Sequence, residues 1–211
     1  MNKKINISII GTRGYPYVYS GYETFVKQLS ERLVLKNCNV TVYCHKGLFN
    51  KRTKEIKGIK LVYVPTIETK ILSQPIHSFL SIIHACFSNT DVLLVVNSAN
   101  GPFGLLTKLF RIPTAINVDG LEWLRPKWKG LGSIYFKWAS KMATLFYDQI
   151  INDSEEMRKV YLDLFKRDSK VIAYGADIRK SKNPDLINKW NLKQREYYLV
   201  IGRLIPDNNA D

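Results

Sequence analysis

Short apolar runs of strand length alternate with segments of helical periodicity along most of this chain. In the clearest run, Val92–Val96, every residue is apolar, which is typical of a central parallel strand covered on both faces. The alternation predicts an α/β fold, a Rossmann-like doubly wound parallel sheet. The predicted strands are Ile5–Ile10, Val40–Cys44, Ile59–Val64, Val92–Val96, Thr114–Val118, Gln149–Asn152 and Val171–Tyr174. The predicted helices are Tyr22–Lys36, Leu72–Ser88, Pro102–Phe110, Ser133–Tyr147 and one from Asp153–Glu156 to about Phe165.

The pattern changes after Gly175, where a polar, lysine-rich stretch begins. We interpret residues 1–177 as one domain and residues 178–196 as a linker that carries a short helix, Pro184–Trp190. Residues 197–211 are interpreted as the first strand, Tyr197–Ile201, and the following loop of a truncated second domain.

The net charge of the chain indicates what kind of partner it binds. The chain has 32 basic and 18 acidic residues, a formal charge of +14, which favours an anionic partner. Nucleic acid, an anionic membrane surface and a phosphorylated small molecule are the three candidates. The polar N-terminus does not resemble a signal peptide, and no apolar stretch reaches the span of a bilayer.

Metal and disulfide chemistry are not expected. The three cysteines show no C-x-x-C spacing, so reduced thiols in the cytoplasm are predicted. His45, His77 and His84 share no metal-ligand spacing, and structural or surface roles are predicted for all three.

The loop after the first strand, GTRGYPYVYSGYETF, is the first candidate site. Glycines permit tight turns and close approach of the backbone to a phosphate, and Gly21 directly precedes a predicted helix, whose N-terminus favours anions. The spacing of Gly11, Gly14 and Gly21 does not match the dinucleotide-binding pattern G-x-G-x-x-G. An ordinary strand-to-helix loop with packed tyrosines is the alternative.

Two further polar segments follow predicted strands, and ligands bind beyond the carboxyl ends of strands in such sheets. In NVDGLEW, Asp119 is placed to bind a sugar hydroxyl, and Glu122 is a weaker candidate for acid–base chemistry; solvated turn carboxylates are the alternative. In NDSEEM, Ser154 is a candidate ligand contact, and a plain helix N-cap is the competing interpretation.

Basic and aromatic residues are interleaved between Trp123 and Lys141, with no acid among them. This composition is typical of a membrane-surface contact, and it also suits single-stranded nucleic acid. A third interpretation places the aromatic side chains in the core and the lysines on a solvated face. The predicted membrane contacts are Arg125, Lys127, Trp128, Lys129 and Lys137.

Five segments together resemble a known family. GTRGYPYVYSGYETFVKQL, NVDGLEWLRPKWKG, INDSEEM, AYGAD and YYLVIGRLIPDNN occur in the order seen in the N-terminal domain of retaining GT-B glycosyltransferases. The rhamnosyltransferase-like branch of bacterial surface-polysaccharide synthesis is the most similar. The resemblance implies two Rossmann-like domains that face each other across a cleft, the first binding mostly the acceptor and the second mostly a nucleotide-sugar donor.

The resemblance also implies roles for individual residues. Ser20 and Gly21 stand where many relatives have two glycines beside the donor diphosphate, and Arg203, in the Gly-Arg-Leu motif, matches an arginine on the same diphosphate. Arg13 and Ser154 are grouped with them as predicted diphosphate or substrate contacts. Asp119 stands where many relatives carry a histidine near the transferred sugar, and it is the predicted catalytic residue together with Glu122. Asn208 replaces a usual phosphate-binding lysine, and the paired glutamates of the donor site would lie beyond residue 211.

The expected activity is hexosyl transfer from a nucleotide sugar, for example dTDP-rhamnose, to a lipid-linked saccharide. The expected partners are that donor, that acceptor and an anionic membrane, without nucleic acid. The resemblance implies no metal or other cofactor, and it places the protein on the cytoplasmic face of the plasma membrane. Since half of the cleft is missing from this chain, we expect it not to transfer sugar by itself.

Two rival functions remain open at this point. A Rossmann-type oxidoreductase or epimerase predicts a G-x-G-x-x-G loop and an acid at the end of the second strand, where this chain has Cys44 and His45. A non-catalytic basic module would bind membrane or nucleic acid through charge alone, and a salt series would separate those two partners.

Overall fold

The strand and helix alternation folds into one sheet. The computed structural model of the protein describes residues 4–16, 20–69, 71–178 and 180–201, and its eight strands are ordered β3-β4-β2-β1-β5-β6-β7-β8. The strands are β1 (Asn6–Ile10), β2 (Asn39–His45), β3 (Glu55–Ile56), β4 (Ile59–Val64), β5 (Val92–Val96), β6 (Thr114–Val118), β7 (Gln149–Asn152) and β8 (Lys170–Val171). The α-helices are α1 (Gly21–Leu35), α2 (Ser73–Cys86), α3 (Gly104–Leu109), α4 (Leu131–Phe146) and α5 (Glu155–Phe165). Short 3₁₀ turns occupy Lys46–Leu48, Ser98–Phe103, Glu122–Leu124 and Pro184–Trp190.

All neighbouring strands are parallel except β3, which pairs antiparallel with β4. β1 lies between β2 and β5, so the chain turns back across the sheet after β4. This reversal is the topological switch point, next to which ligands bind in open α/β sheets. The predicted doubly wound parallel sheet is therefore confirmed.

Two apolar cores lie on opposite faces of the sheet because alternate strand residues point in opposite directions. Ile9 joins the core beneath α1, together with Val26 of that helix. Its neighbour Ile10 joins the core on the other face, where α2, α4 and α5 contribute residues such as Ile82 and Phe136. The central strand β5 is covered on both faces, which explains why it is apolar at every position.

Close packing joins α4 to the segment after β5. A Cβ atom added to Gly101 would overlap the carbonyl oxygen of Ala139, and one added to Gly104 would overlap the ring of Tyr147. The hydroxyl of Tyr147 also donates to the carbonyl oxygen of Asn100, at 3.0 Å. The backbone of this segment therefore contacts α4 without an intervening side chain.

The fold corrects four local predictions. The last predicted strand is shorter, since β8 ends at Val171 and the chain leaves the sheet after Ile172, whose N–H still donates to the carbonyl oxygen of Asn152 at 2.8 Å. Residues 197–201 form no strand, and their side chains are exposed, because no neighbouring strand offers hydrogen bonds to them. The segment predicted as the helix Pro102–Phe110 begins as a 3₁₀ turn at Ser98, and the two-residue strand β3 was missed.

Cys38, Cys44 and Cys86 are free thiols. Over the ranges that the structure describes, no helix combines the length and the apolar character needed to cross a bilayer.

Candidate functional site

Three of the segments singled out in the sequence meet at the carboxyl edge of the sheet. β1, β6 and β7 end on this edge, and they are followed by the glycine loop, Asp119 and Ser154, respectively. A hydrogen bond from the hydroxyl of Tyr22, in the first turn of α1, to Asp119 Oδ1 joins the first two segments. Asp153, next to Ser154, is close enough to act electrostatically on Asp119. The glycine loop, Asp119 and Ser154 therefore lie close together at this edge of the sheet.

Two glycines shape the start of the loop after β1. Gly11 and Gly14 have φ angles of 108° and 125°, values that residues with a side chain rarely adopt. A Cβ atom on Gly11 would overlap the carbonyl oxygen of Val96, and one on Gly14 would lie 2.7 Å from the Cβ atom of Cys44. The backbone can therefore pass close to β5 and β2 only because these residues are glycine.

The carboxylate of Glu23 holds the loop together. Glu23 is buried, and its Oε1 accepts a hydrogen bond from the backbone N–H of Arg13 at 3.1 Å. Its Oε2 accepts from the backbone N–H of Ser20 at 3.0 Å and from the Ser20 hydroxyl. One side chain in the first turn of α1 thus satisfies donors at both ends of the loop, in the manner of a capping box. Sequence reasoning overlooked Glu23, although the spacing S-x-x-E signals this role.

Gly21 differs from the two earlier glycines. It is the first residue of α1, it is exposed, and it has no positive φ angle. Apart from its chain neighbours and the backbone of α1, no described residue has an atom within 4 Å of the position that its Cβ would occupy. The fold of the described residues therefore does not require glycine here, and none of them fills the space on this side of the N-terminus of α1, a place that favours anions.

Asp119 is a half-buried carboxylate at the end of β6. Its Oδ1 accepts from Tyr22, and its Oδ2 lies 3.5 Å from the hydroxyl of Tyr174. Burial raises the pKa of Asp119, the hydrogen bond from Tyr22 opposes this rise, and the charges of Asp153 and Glu122 add to it. Such a carboxylate is suited to binding neutral hydroxyl groups rather than phosphates.

Tyr174 was not singled out by the sequence. It leaves the sheet after β8, and its ring packs edge-on against Phe25 of α1, with the ring centroids 5.2 Å apart. Its hydroxyl donates to Oδ1 of Asn117, at 2.8 Å. The only hint in the sequence was its place in the AYGAD motif after the last strand.

Glu122 is engaged by its own neighbours. Its Oε1 lies 2.8 Å from Arg125 Nη1, and its Oε2 lies 3.3 Å from Lys127 Nζ. The indole N–H of Trp128 also donates to Oε2, at 2.7 Å. This buried carboxylate fixes the turn that follows β6, so its structural function is clear, and its predicted catalytic function stays a prediction.

Ser154 is the N-cap of α5. Its hydroxyl accepts from the backbone N–H of Met157 at 3.3 Å and lies 3.4 Å from Asp153 Oδ1. Ser20 has the same position at α1, where its hydroxyl donates to Glu23. Both serines already have partners in the fold, and their predicted contacts with a ligand stay predictions.

In the basic, aromatic segment from Trp123 to Lys141, some side chains are buried in the core and others are exposed. Trp123 and Phe136 are in the core, and Trp128 packs on Phe136 with ring centroids 4.8 Å apart. Trp128 is therefore half-buried, and its predicted contact with a membrane stays a prediction. The outward residues of this segment lie on or next to α4, and they are Lys129, Leu131, Ile134, Lys137, Trp138 and Lys141.

The three histidines have the structural roles predicted for them. His45 and His77 are buried and stacked, with ring centroids 4.0 Å apart, and His45 Nδ1 lies 3.3 Å from Glu68 Oε1. His84 shares a hydrogen bond with the hydroxyl of Tyr43 at 2.9 Å. Within the described part of the chain, no three histidine, cysteine or acidic side chains form a potential metal cluster.

Arg203, which the resemblance places on the diphosphate, lies outside the described residues. So does Asn208, which replaces the usual phosphate-binding lysine.

The fold is similar to the Rossmann-like halves of GT-B glycosyltransferases. Sucrose-phosphate synthase from Thermosynechococcus elongatus superposes with a TM-score of 0.69 at 15% sequence identity, over 90% of this chain and 53% of that one. A UDP-glucosyltransferase from Polygonum tinctorium capable of glucosylating indoxyl superposes with a TM-score of 0.55 at 12% identity, over 92% and 57%. Phytolacca americana UGT2, in complex with UDP-2-fluoro-glucose and pterostilbene, gives a TM-score of 0.54 at 10% identity, over 92% and 58%.

The chain belongs to the family described as a domain of unknown function, DUF1972, whose profile matches residues 4–177. No curated protein is significantly similar to it in sequence. It spans 53–58% of the length of these three solved structures.

Proposed function

We propose that this chain is the acceptor-side half of a glycosyltransferase that moves a sugar from a nucleotide donor to a lipid-linked saccharide. In this proposal residues 1–177 are the acceptor-side domain, residues 178–196 a linker, and residues 197–211 the start of a donor-binding domain. Gly21 and Arg13 would face the diphosphate, and Asp119 would face the sugar or the acceptor hydroxyl.

One observation carries the proposal: Gly21 leaves open space at the N-terminus of α1, and Tyr22 connects this point directly to Asp119. The N-terminal end of a helix attracts a phosphate group, and a half-buried carboxylate binds hydroxyl groups. A nucleotide sugar carries both groups side by side. Several structures with this fold support the choice of ligand, because they are UDP-dependent glycosyltransferases or contain UDP or a UDP-sugar.

The outer surface of α4 supports a membrane partner. Leu131, Ile134 and Trp138 are exposed and lie three and four residues apart, so they share one face of the helix. Lys129, Lys137 and Lys141 are exposed beside them. Apolar and aromatic side chains flanked by lysines suit the boundary between anionic headgroups and acyl chains. This surface would hold the protein at the inner face of the plasma membrane, where a lipid-linked acceptor is available.

Nuclear magnetic resonance titration of the chain tests the donor site. We expect UDP, UDP-glucose and dTDP-rhamnose to shift the backbone amides of Gly21, Tyr22 and Asp119, with dTDP-rhamnose the preferred donor. Gly21→Ala should weaken this binding by at least about tenfold, or about 1.4 kcal/mol, because a methyl group enters the open space. Gly47→Ala is the matched control, since its Cβ would meet only the flexible end of Glu68, at 3.3 Å. Shifts caused by NAD⁺ alone would favour the oxidoreductase alternative and contradict the proposal.

Cosedimentation with vesicles tests the membrane surface. We expect binding to vesicles that contain phosphatidylglycerol and little binding to pure phosphatidylcholine. Exchange of Lys129 and Lys137 for glutamine should reduce the binding, whereas the same exchange at Lys51 and Lys54, exposed near the opposite edge of the sheet, should change it less. Tighter binding to a single-stranded oligonucleotide than to anionic vesicles across a salt series would overturn the membrane part of the proposal.

A further inference from the structure

We infer that Tyr22 and Tyr174 are positioning residues that orient Asp119 so that its Oδ2 atom faces a hydroxyl group of the bound sugar. The inference rests on the proposed function, and it adds two residues that the sequence did not assign.

The two oxygens of Asp119 are in different surroundings. Oδ1 receives the hydroxyl of Tyr22, which is fixed in the first turn of α1. Oδ2 lies 3.5 Å from the Tyr174 hydroxyl, but that hydroxyl is only 2.8 Å from Oδ1 of Asn117. A phenol has one proton to donate, and the shorter contact takes it. Oδ2 therefore keeps its capacity to accept a hydrogen bond.

Both tyrosines are themselves held in place. Tyr22 packs against the core beneath α1, and the ring of Tyr174 packs against Phe25 of the same helix. Burial and the charge of Asp119 raise the pKa of each phenol, so both remain protonated at neutral pH. The carboxylate thus lies between the Tyr22 hydroxyl, which donates to Oδ1, and the Tyr174 hydroxyl, 3.5 Å from Oδ2, and the two tyrosines come from different parts of the chain.

The charges around Asp119 select the kind of group that can bind. Asp153 and Glu122 both act on Asp119 as negative charges, and Arg125 opposes them from the turn that follows β6. Glu122 is neutralised by its own cations, whereas Asp119 and Asp153 leave the region near Oδ2 negative. A phosphate would be repelled there, and a sugar hydroxyl would donate to Oδ2. The site consequently divides into an anion-binding part at Gly21 and a sugar-binding part at Asp119, with Tyr22 between them.

Carbon-detected titration of the Asp119 carboxyl, in the chain without ligand, tests the positioning. Tyr22→Phe removes a donor to the ionised form, so the midpoint should shift upward. Tyr174→Phe should change the midpoint less, because the proton of that phenol goes to Asn117. Tyr63→Phe, on β4, removes a hydroxyl that donates to the carbonyl oxygen of Thr53, and it should leave the midpoint unchanged. An unchanged midpoint in Tyr22→Phe would overturn the inference, and circular dichroism confirms that each variant is folded.

Repeating the titration with UDP and with a UDP-sugar separates the two parts of the site. The sugar nucleotide should lower the Asp119 midpoint, since a hydroxyl that donates to Oδ2 favours the carboxylate, and UDP alone should not lower it. If the UDP-sugar shifts the amide of Gly21 but leaves the Asp119 midpoint unmoved, the inference is wrong and the proposed function stands. If the UDP-sugar perturbs neither residue while Tyr22→Phe still shifts the midpoint, the proposed function fails, and the assignment of Oδ2 to a sugar hydroxyl fails with it.

Discussion

The glycines at the two ends of the loop after β1 differ in what surrounds them. Gly11 and Gly14, at its start, have positive φ angles and no room for a Cβ atom. Gly21, at its end, has an ordinary helical position and open space around it. The first two glycines are needed by the fold, and the third is free to serve a ligand. The carboxylates that follow β6 divide in the same way, since Glu122 is neutralised by its neighbours and Asp119 keeps one oxygen available.

Gly11→Ala is the strongest test of the difference between the glycines that the fold requires and the one that it does not require. The substitution combines a φ angle of 108° with an overlap against the carbonyl oxygen of Val96. Backbone strain of about 1–3 kcal/mol and overpacking of about 1–3 kcal/mol together predict a loss of about 3 kcal/mol or more. Urea denaturation measures the loss, with Gly47→Ala as a control of nearly unchanged stability. A stable Gly11→Ala variant would show that the start of the loop is not built as described.

The next largest expected effect is a pH dependence of the free energy of unfolding. It comes from the stacked, buried pair of His45, at the end of β2, and His77, in α2. Burial, and next the charge of His45, lower the pKa of His77 from 6.5 to about 3, and burial lowers that of His45 as well. The unfolded chain then binds more protons than the folded chain between about pH 6.5 and 3, so this part of the stability is present above pH 6.5 and is lost as the pH falls toward 3.

Urea midpoints at pH 7 and pH 4.5 should therefore differ by an amount on the order of 2 kcal/mol that His77→Gln reduces. Equal pH dependence in the parent and the variant would place the acid sensitivity elsewhere, for example in the carboxylates.

Glu122→Gln sharpens the contrast between the two carboxylates. The substitution keeps the shape of the side chain but leaves Arg125 and Lys127 without their anion, so we expect a loss of about 1–2 kcal/mol. Glu155→Gln, in an exposed pair with Arg158, is the matched control and should change stability little. If Glu122→Gln left stability intact and abolished only sugar transfer in a complete enzyme, Glu122 would belong with Asp119 instead.

For Gly21→Ala we expect the smallest change in stability, in contrast to Gly11→Ala at the start of the same loop. Alanine fits the helical backbone and the open space, so the free energy of unfolding should stay the same or rise by up to about 1 kcal/mol. Thermal denaturation measures it, with Gly11→Ala alongside. A marked loss of stability would mean that Gly21 is structural, and the central observation behind the proposed donor site would disappear.

The sequence predicted the sheet well, because each central strand is a short apolar run between polar turns. The bounds of β4, β5, β6 and β7 agree with the prediction at every residue. β3 was missed because two residues carry no periodic pattern, and β8 was overextended because the pairing with β7 stops after the hydrogen bond from Ile172 N–H to Asn152, although the apolar pattern continues. The local sequence pattern therefore predicts those strands whose residues are apolar and buried along their own length.

The candidate site was predicted only in part, since its contacts join residues far apart in the chain. Asp119 and Gly21 were recognisable from their positions after a strand and before a helix. Tyr174 was not, because its approach to Asn117 and Asp119 depends on how β8 ends and on its packing against α1. Trp128 was assigned to the surface on composition, whereas its indole N–H turns inward to Glu122, a contact that composition cannot reveal.

The contact of Gly101 with Ala139 has a mechanical consequence. Backbone lies directly on backbone there, so no side chain separates α4 from the segment after β5 at this point. Because protein interiors are close-packed, a displacement of α4 would be passed to the end of β5 through this contact. If lipid headgroups seat against Leu131, Ile134 and Trp138, the tilt of the whole sheet and the height of Asp119 above the bilayer are set by that one rigid joint. The reach of the enzyme to its acceptor would then be a built-in length rather than an adjustable one.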